Sequence, residues 1–444
     1  MRTTLTTLGI VLALSLSAQG PVSLSLQQAL DLAAKQSYMV QASELEAEKA
    51  RHKVKEITAL GLPQINGEVG LTNYIDVPTQ LIPNFFDQSG SGPEFLPVQF
   101  GVPWSAKAGA TLSQLIFDGS YIVGLKATRE LANVSRNDLE KARADARNQA
   151  AKAYFGVLAA EEGTRLIGEG IPLLEKSLRE VDAMREAGFM EQTDVDRLMI
   201  QVEQAKAQQR NFQQQGEVAR MLLALTLGLP QGTPITLTDK LDTILNDANE
   251  TALSEQAFDP GTHIEQTSIN TLARVQELSV KNEKAKGMPS LSGFLSHQQI
   301  WNGPKFEPFG GPYDFYPTTL WGLTLNVPIF SSGMRYHKVQ QAKLTLDQLH
   351  VNQTATEQRL RTMAEQSRST ARSASDNFRT EERNMTLAKN IFDRTTIKFT
   401  NGSAASFELT QEQGNYLLAQ QSYVQRLVEL LMARADLRKA LDLY

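Results

Sequence analysis

The chain has 444 residues, 41% hydrophobic and 21% charged, with a formal charge of -5. Lys and Arg are scattered among Asp and Glu, so no basic face for nucleic acid is expected. Cysteine is absent, which excludes a disulfide framework, a thiol nucleophile, a thiolate metal site and a lipidated N-terminal Cys. The five histidines, His52, His263, His297, His337 and His350, never fall at metal-site spacings and read as solvated or incidental. No metal or cofactor site is expected.

Met1 and Arg2 precede a short apolar run, Leu8 to Leu16, which leads into Ser17, Ala18, Gln19 and Gly20. This is the pattern of a signal peptide, taken as residues 1–18, and it predicts export. After it, no stretch approaches the roughly 20 apolar residues of a transmembrane helix. A membrane crossing would therefore have to be made by β-strands.

In chain order, Leu24 to Ala34 reads as an opening helix. A strand is predicted over about 64–75, where Ile65, Val69 and Leu71 alternate with Asn66, Glu68, Gly70 and Thr72. Asp76 to Pro103 is rich in Pro, Gly and aromatic residues and reads as a loop. The next strand, about 104–117, places Trp104, Ala106, Ala108, Ala110, Leu112 and Ile116 on one face, with Gln114 the exception. A long helix follows over 120–187, interrupted by Gly163, Gly168, Gly170 and Pro172, where a kink or break is expected. A shorter helix is predicted over 193–229, and residues 231–261 form a linker.

The second half repeats this order with a helix and then strands at about 290–301 and 318–330, separated by a shorter loop, Trp301 to Pro317. Leu291 and Leu295 alternate with serines, although Phe294 spoils the polar face. Trp321, Leu323, Leu325 and Val327 give the clearer alternation. Residues 334–401 contain neither Gly nor Pro, enough for a helix of roughly 100 Å. Val339, Leu346, Leu360, Ala374 and Ala388 mark a seven-residue seam with many small or polar interruptions, suited to a wall of helices more than a dry zipper. The last helix is predicted over 406–443.

The two halves share fixed spacings. Gly188 follows Gly119 by 69 residues, and Gly402 follows Gly333 by 69. The same offset of 214 carries Leu227, Gly228 and Leu229 onto Leu441, Asp442 and Leu443. Pro63 with Gly67 matches Pro289 with Gly293 at an offset of 226, so the first copy holds 12 extra residues in its loop. A duplicated unit, residues 19–230 and 262–444, explains these spacings.

Gly188, Phe189, Met190, Glu191, Gln192, Thr193, Asp194 and Val195, and in the second copy Gly402 followed by Glu408 and Leu409, resemble the helix-to-helix turn of the TolC-like outer membrane efflux protein family. The resemblance extends from the opening helix through Pro63 and Pro289 to the ends of both repeats. It implies a mostly α fold with transmembrane β: a long coiled-coil-like α-helical barrel plus four strands per protomer in a trimeric 12-stranded β-barrel. It further implies a passive outer-membrane conduit with a periplasmic helical tube, working as a homotrimer in outer-membrane lipid with a periplasmic adaptor and an inner-membrane pump. The loops at 76–103 and 301–317 would face outside and the turns the periplasm.

By the same resemblance Asp194 and Glu408 line the periplasmic entrance constriction, joined one turn further on by Glu412, with Gln411 the alternative at that place. Gly188, Thr193, Gly402 and Ser406 form the turn tip and adaptor contact. The plain structural reading is that the acids favour the first turn of a helix near caps Thr193 and Ser406, while the glycines supply positive φ. The chain stops at Tyr444, so no role for a C-terminal tail is expected. The alternative function, an exported structural or adhesive coiled coil without a pore, leaves four amphipathic strands unexplained. No catalytic constellation marks an enzyme.

Overall fold

A computed structural model describes residues 22–85, 93–245 and 257–444. The signal peptide, the tip of the 76–103 segment and part of the 231–261 linker lie outside the described residues. The chain divides into two compact units, each drawing on both repeats: residues 1–46, 136–268 and 354–444, and residues 47–135 and 269–353.

The second unit contains a four-stranded antiparallel sheet, β2 (Gln64–Asn73), β5 (Trp104–Asp118), β7 (Ser290–Gly303) and β8 (Tyr316–Asn326), in the order β2-β5-β7-β8. Register places Ile65, Leu112, Leu295 and Trp321 on one rung. Directly opposed residues share a face, so this rung and its alternate neighbours make a mainly apolar surface, with Gln114, Gln299 and the His297–Thr319 pair, bonded at 2.7 Å, among its polar exceptions. The next rung, Asn66, Thr111, Ser296 and Leu320, lies on the other face. There the hydroxyls of Thr111 and Ser296 bond at 2.9 Å, and Lys107 pairs with Glu68 at 2.6 Å.

The irregular positions have local reasons. Phe294 does lie on the polar face, and its ring occupies the space above Gly322, where a Cβ would come within 2.7 Å of it. Gln114 donates to the carbonyls of Gly61 and Leu115 beside a bulge between Leu115 and Phe117. Val327 to Phe330, read as the end of a strand, lies beyond β8 without strand pairing. The segment expected to be plain loop contains a second sheet, β3 (Thr79–Pro83) paired with β4 (Phe95–Gln99). Pro83 and Pro97 hid it, because proline marks turns in sequence yet is tolerated in an edge strand.

The first unit holds the greater part of the long helices. At its start a short strand, β1 (Val22–Leu24), pairs in parallel with β6 (Ile235–Leu237), so Leu24 belongs to a strand and helix α1 runs Leu26–Gln36. The N-terminus of α1 is held by Ser25 and by Asp239, which accepts from the Leu26 N–H at 2.6 Å and from the Tyr154 hydroxyl at 3.1 Å. Helix α2 (Tyr38–Ala59) precedes β2 in the chain, α5 (Leu241–Leu245) lies between the repeats, and α6 (Ile264–Ala285) opens the second repeat.

Helix α3 runs Gly119–Glu186 without interruption through Pro172, so the expected break is absent. Gly163 and Gly168 serve close approach instead, whereas Gly170 faces open space. A Cβ on Gly163 would sit 2.8 Å from the Phe212 ring, and one on Gly168 2.6 Å from Gln209, both on helix α4 (Gln192–Thr226). Helix α7 (Met334–Thr400) packs on α8 (Ser406–Ala440) through Phe378 against Tyr423 and Phe392 stacked on Tyr416. Burial pushes the Tyr423 hydroxyl up to about 12. Leu427 and Leu431 are fully buried on α8, each worth about 1.5–3 kcal/mol. Gln413 and Gln420 are buried on the same helix, and Gln420 donates to the Leu166 carbonyl of α3 at 3.1 Å. The seam is therefore a mixed one.

His263 is buried, contrary to the solvated reading, and its Nδ1 accepts from the Glu265 N–H at 3.1 Å. Glu265 itself pairs with Lys141 at 3.2 Å and with Arg359. Burial alone would raise its carboxyl, but the bond from Arg359 and the Lys141 charge hold it below the ordinary value.

Candidate functional site

The two turns that join long to short helices are built alike. Gly188 has φ 83° and Gly402 φ 70°. In the first, the Gly188 N–H bonds the Arg185 carbonyl and the Phe189 N–H the Met184 carbonyl, both at 2.9 Å. In the second, Gly402 bonds Phe399 at 2.9 Å and Ser403 bonds Lys398 at 2.8 Å. This is the Schellman pattern, which needs a left-handed residue after the helix. It recurs at the other ends, with Gly228 at φ 70° and Asp442 at φ 58° in the equivalent place.

The first helical residues are Gln192 and Ser406, and the caps are Glu191 and Ala405. Thr193 and Ser406 are therefore inside the first turn, not caps. Thr193 is exposed and donates to Glu191 at 3.2 Å. The reason lies in Asp194, whose carboxylate reaches back to accept the Glu191 N–H at 3.3 Å and so caps the helix from within.

The expected residues are not equivalent in their surroundings. Asp194 is half-buried and accepts a hydrogen bond from Ser406, which is buried. Glu408 is exposed, while Glu412 is half-buried and accepts from Asn415 at 3.1 Å. Gln411 is exposed. Arg197 lies 5.7 Å above the ring of Phe407, so the first turns of α4 and α8 meet through both a hydrogen bond and a cation–π contact. Phe189 is exposed at the tip of the first turn.

One feature is not legible in the sequence. A groove of about 380 Å³ between α4 and α8 is lined by Gln201, Gln204, Gln208, Asn211, Gly414 and Gln421, among others. Glutamine at helical spacing is an ordinary surface pattern, so nothing in the sequence singles these residues out. Among the described residues there is no group of three or more His, Cys, Asp or Glu able to hold a metal, and no helix is long and apolar enough to cross a membrane.

Long paired helices joined to a sheet with an exposed apolar face define a membrane-channel protomer whose membrane portion is β. The chain belongs to the outer membrane efflux protein family, which matches residues 29–229 and 274–442. It is an outer-membrane channel protein and not an enzyme. No curated protein sequence matches it. Among solved structures it is similar to the channel CusC, with 14% identity, 94% of this chain and 91% of the other covered, and a TM-score of 0.71. A membrane protein from Pseudomonas aeruginosa is similar at 17% identity, 94% and 93% coverage and a TM-score of 0.69. The Campylobacter jejuni CmeC outer membrane channel follows at 17%, 94% and 85%, and 0.67.

Proposed function

We propose that three copies of this chain close a 12-stranded barrel and form the passive outer-membrane conduit of a tripartite efflux or secretion system, docking with a periplasmic adaptor and an inner-membrane pump. The observation that carries this reading is the sheet order β2-β5-β7-β8 with β2 and β8 as edges. Open edges in lipid leave backbone groups unbonded, and pairing β8 of one copy with β2 of the next removes every edge. Three copies of four strands give an even, closed barrel of workable size.

In this assembly residues 1–18 direct export, residues 19–230 and 262–444 act as the two repeats, and residues 231–261 connect them. The turns at Gly188 and Gly402, with the exposed Thr193, meet the adaptor, and Ser406, expected beside them, is buried against Asp194 and supports the tip from within. Asp194, Glu408 and Glu412 become threefold rings of carboxylates that favour cations at the entrance. Mass measurement of the detergent-extracted protein tests the assembly, and conductance in proteoliposomes tests the conduit. A trimer with discrete conductance is expected, and a stable, non-conducting monomer overturns the reading.

A further inference from the structure

The connection between β7 and β8 does not stand free above the strands. Trp301 belongs to the apolar face: it pairs with Ala106, which pairs with Leu71. Its ring nevertheless has 0% exposure, alone among the large side chains of that face. The connection is what buries it. Phe306 packs edge-on to Trp301 at 6.3 Å and against Trp104, on the same face, at 5.2 Å. The Trp301 indole N–H donates to the Tyr313 carbonyl at 3.1 Å. A Cβ on Gly303 would lie 2.6 Å from the Trp301 ring, so this residue gives the indole its room. Residues 304–315 are thus folded back over the apolar side of β5 and β7, away from the β8 edge.

This placement leaves Phe309 exposed among polar neighbours, Lys305, Glu307 and Asp314. Phe309 is 89% exposed beside Phe315 at 6.1 Å, and Lys305 is exposed on the same segment. We propose that residues 304–315 are an interfacial anchor that seats Phe309 at the boundary between headgroups and acyl chains of the outer leaflet, with lipid as its partner. Aromatic rings prefer that boundary, and the three charged side chains of the segment stay on its wet side. A neighbouring copy is the less suitable occupant, because the segment covers the middle of the sheet and leaves the β8 edge for strand pairing. The inference rests on the barrel reading above.

The cysteine-free chain allows the test with single environment-sensitive labels at Phe309→Cys and, on the apolar face of β8 within the sheet, Leu323→Cys. Each assembled variant is placed in phospholipid vesicles carrying nitroxides at the headgroup or deep in the chain, and separately exposed to aqueous iodide. The label at 323 should lose most emission to the deep nitroxide, and the label at 309 to the headgroup nitroxide. Failure at 323 rejects the barrel reading itself. If 323 behaves and the label at 309 responds only to iodide, or to neither quencher, the anchor is overturned in favour of a solvent loop or a contact between copies.

Discussion

Ser406, in the first turn of the last helix, donates a hydrogen bond to Asp194, in the first turn of the corresponding helix of the first repeat. The two duplicated turns are thereby joined by a side-chain pair that does not obey the duplication, since the counterpart of Asp194 is Glu408 and Glu408 is exposed. Asp194 also bonds the Glu191 N–H. One carboxylate ties a helix start to its own cap and to the other repeat.

Asp194→Ala removes both bonds and should cost about 1 kcal/mol of stability in the helical unit. Ser406→Ala should cost less, and the pair should be non-additive. Thermal unfolding of the two single variants and the double variant measures the coupling; strict additivity would refute the link.

Selectivity should separate the two acids. Glu408→Gln removes an exposed charge and should lower cation preference with little effect on assembly. Asp194→Asn should shift selectivity less, because its carboxylate is half-buried and bonded, and the amide oxygen still accepts from Ser406. Reversal potentials of single channels in a salt gradient decide, and wild-type preference in the double variant would leave only the capping role.

Gly188 and Gly228 test what the left-handed position demands. At Gly188 nothing lies within 4 Å of an added Cβ, so Gly188→Ala meets only the strain of φ 83°, about 1 kcal/mol. At Gly228 the Cβ would lie 2.1 Å from the Gln36 carbonyl oxygen. Gly228→Ala should therefore be far more damaging, visible as lost folded yield while Gly188→Ala expresses normally.

Acid should weaken the first unit through Glu265. Its carboxyl sits below the ordinary 4.5 in the folded chain, so its contribution is full above that value and lost as pH falls through the folded value. Glu265→Gln should destabilise at pH 7 and flatten the acid limb of a stability profile. An unchanged acid limb would show that Lys141 and Arg359 do not hold the carboxylate.

Topology is accessible to labelling. With an impermeant thiol reagent on intact cells, Leu81→Cys in the β3–β4 sheet should react and Phe189→Cys at the first turn should not; both side chains are exposed in the protomer. The opposite result would invert the orientation.

Alternation of Ile65, Val69 and Leu71 with polar neighbours makes the apolar face readable along the chain, because a strand fixes side-chain direction at every second residue. The long Gly-free and Pro-free stretch shows its helix for an equally local reason. The β3–β4 sheet is not legible, since its prolines imitate a loop, and neither is the continuity of α3 through Pro172. Gly163 and Gly168 look like breakers until Phe212 and Gln209 are seen to occupy their space.

The sequence by itself determined the duplication, the long helices and the amphipathic strands, because periodicity and glycine spacing are written along the chain, and the resemblance of its two turns to known ones pointed to the outer-membrane efflux family. Only the tertiary structure decided that Asp194 meets Ser406, that the caps are Glu191 and Ala405, and that Trp301 is covered from the apolar side by Phe306. These depend on contacts between segments far apart in sequence or on the path of a connection, and no local pattern encodes which partner a hydroxyl or an aromatic ring will find once the helices and strands have packed.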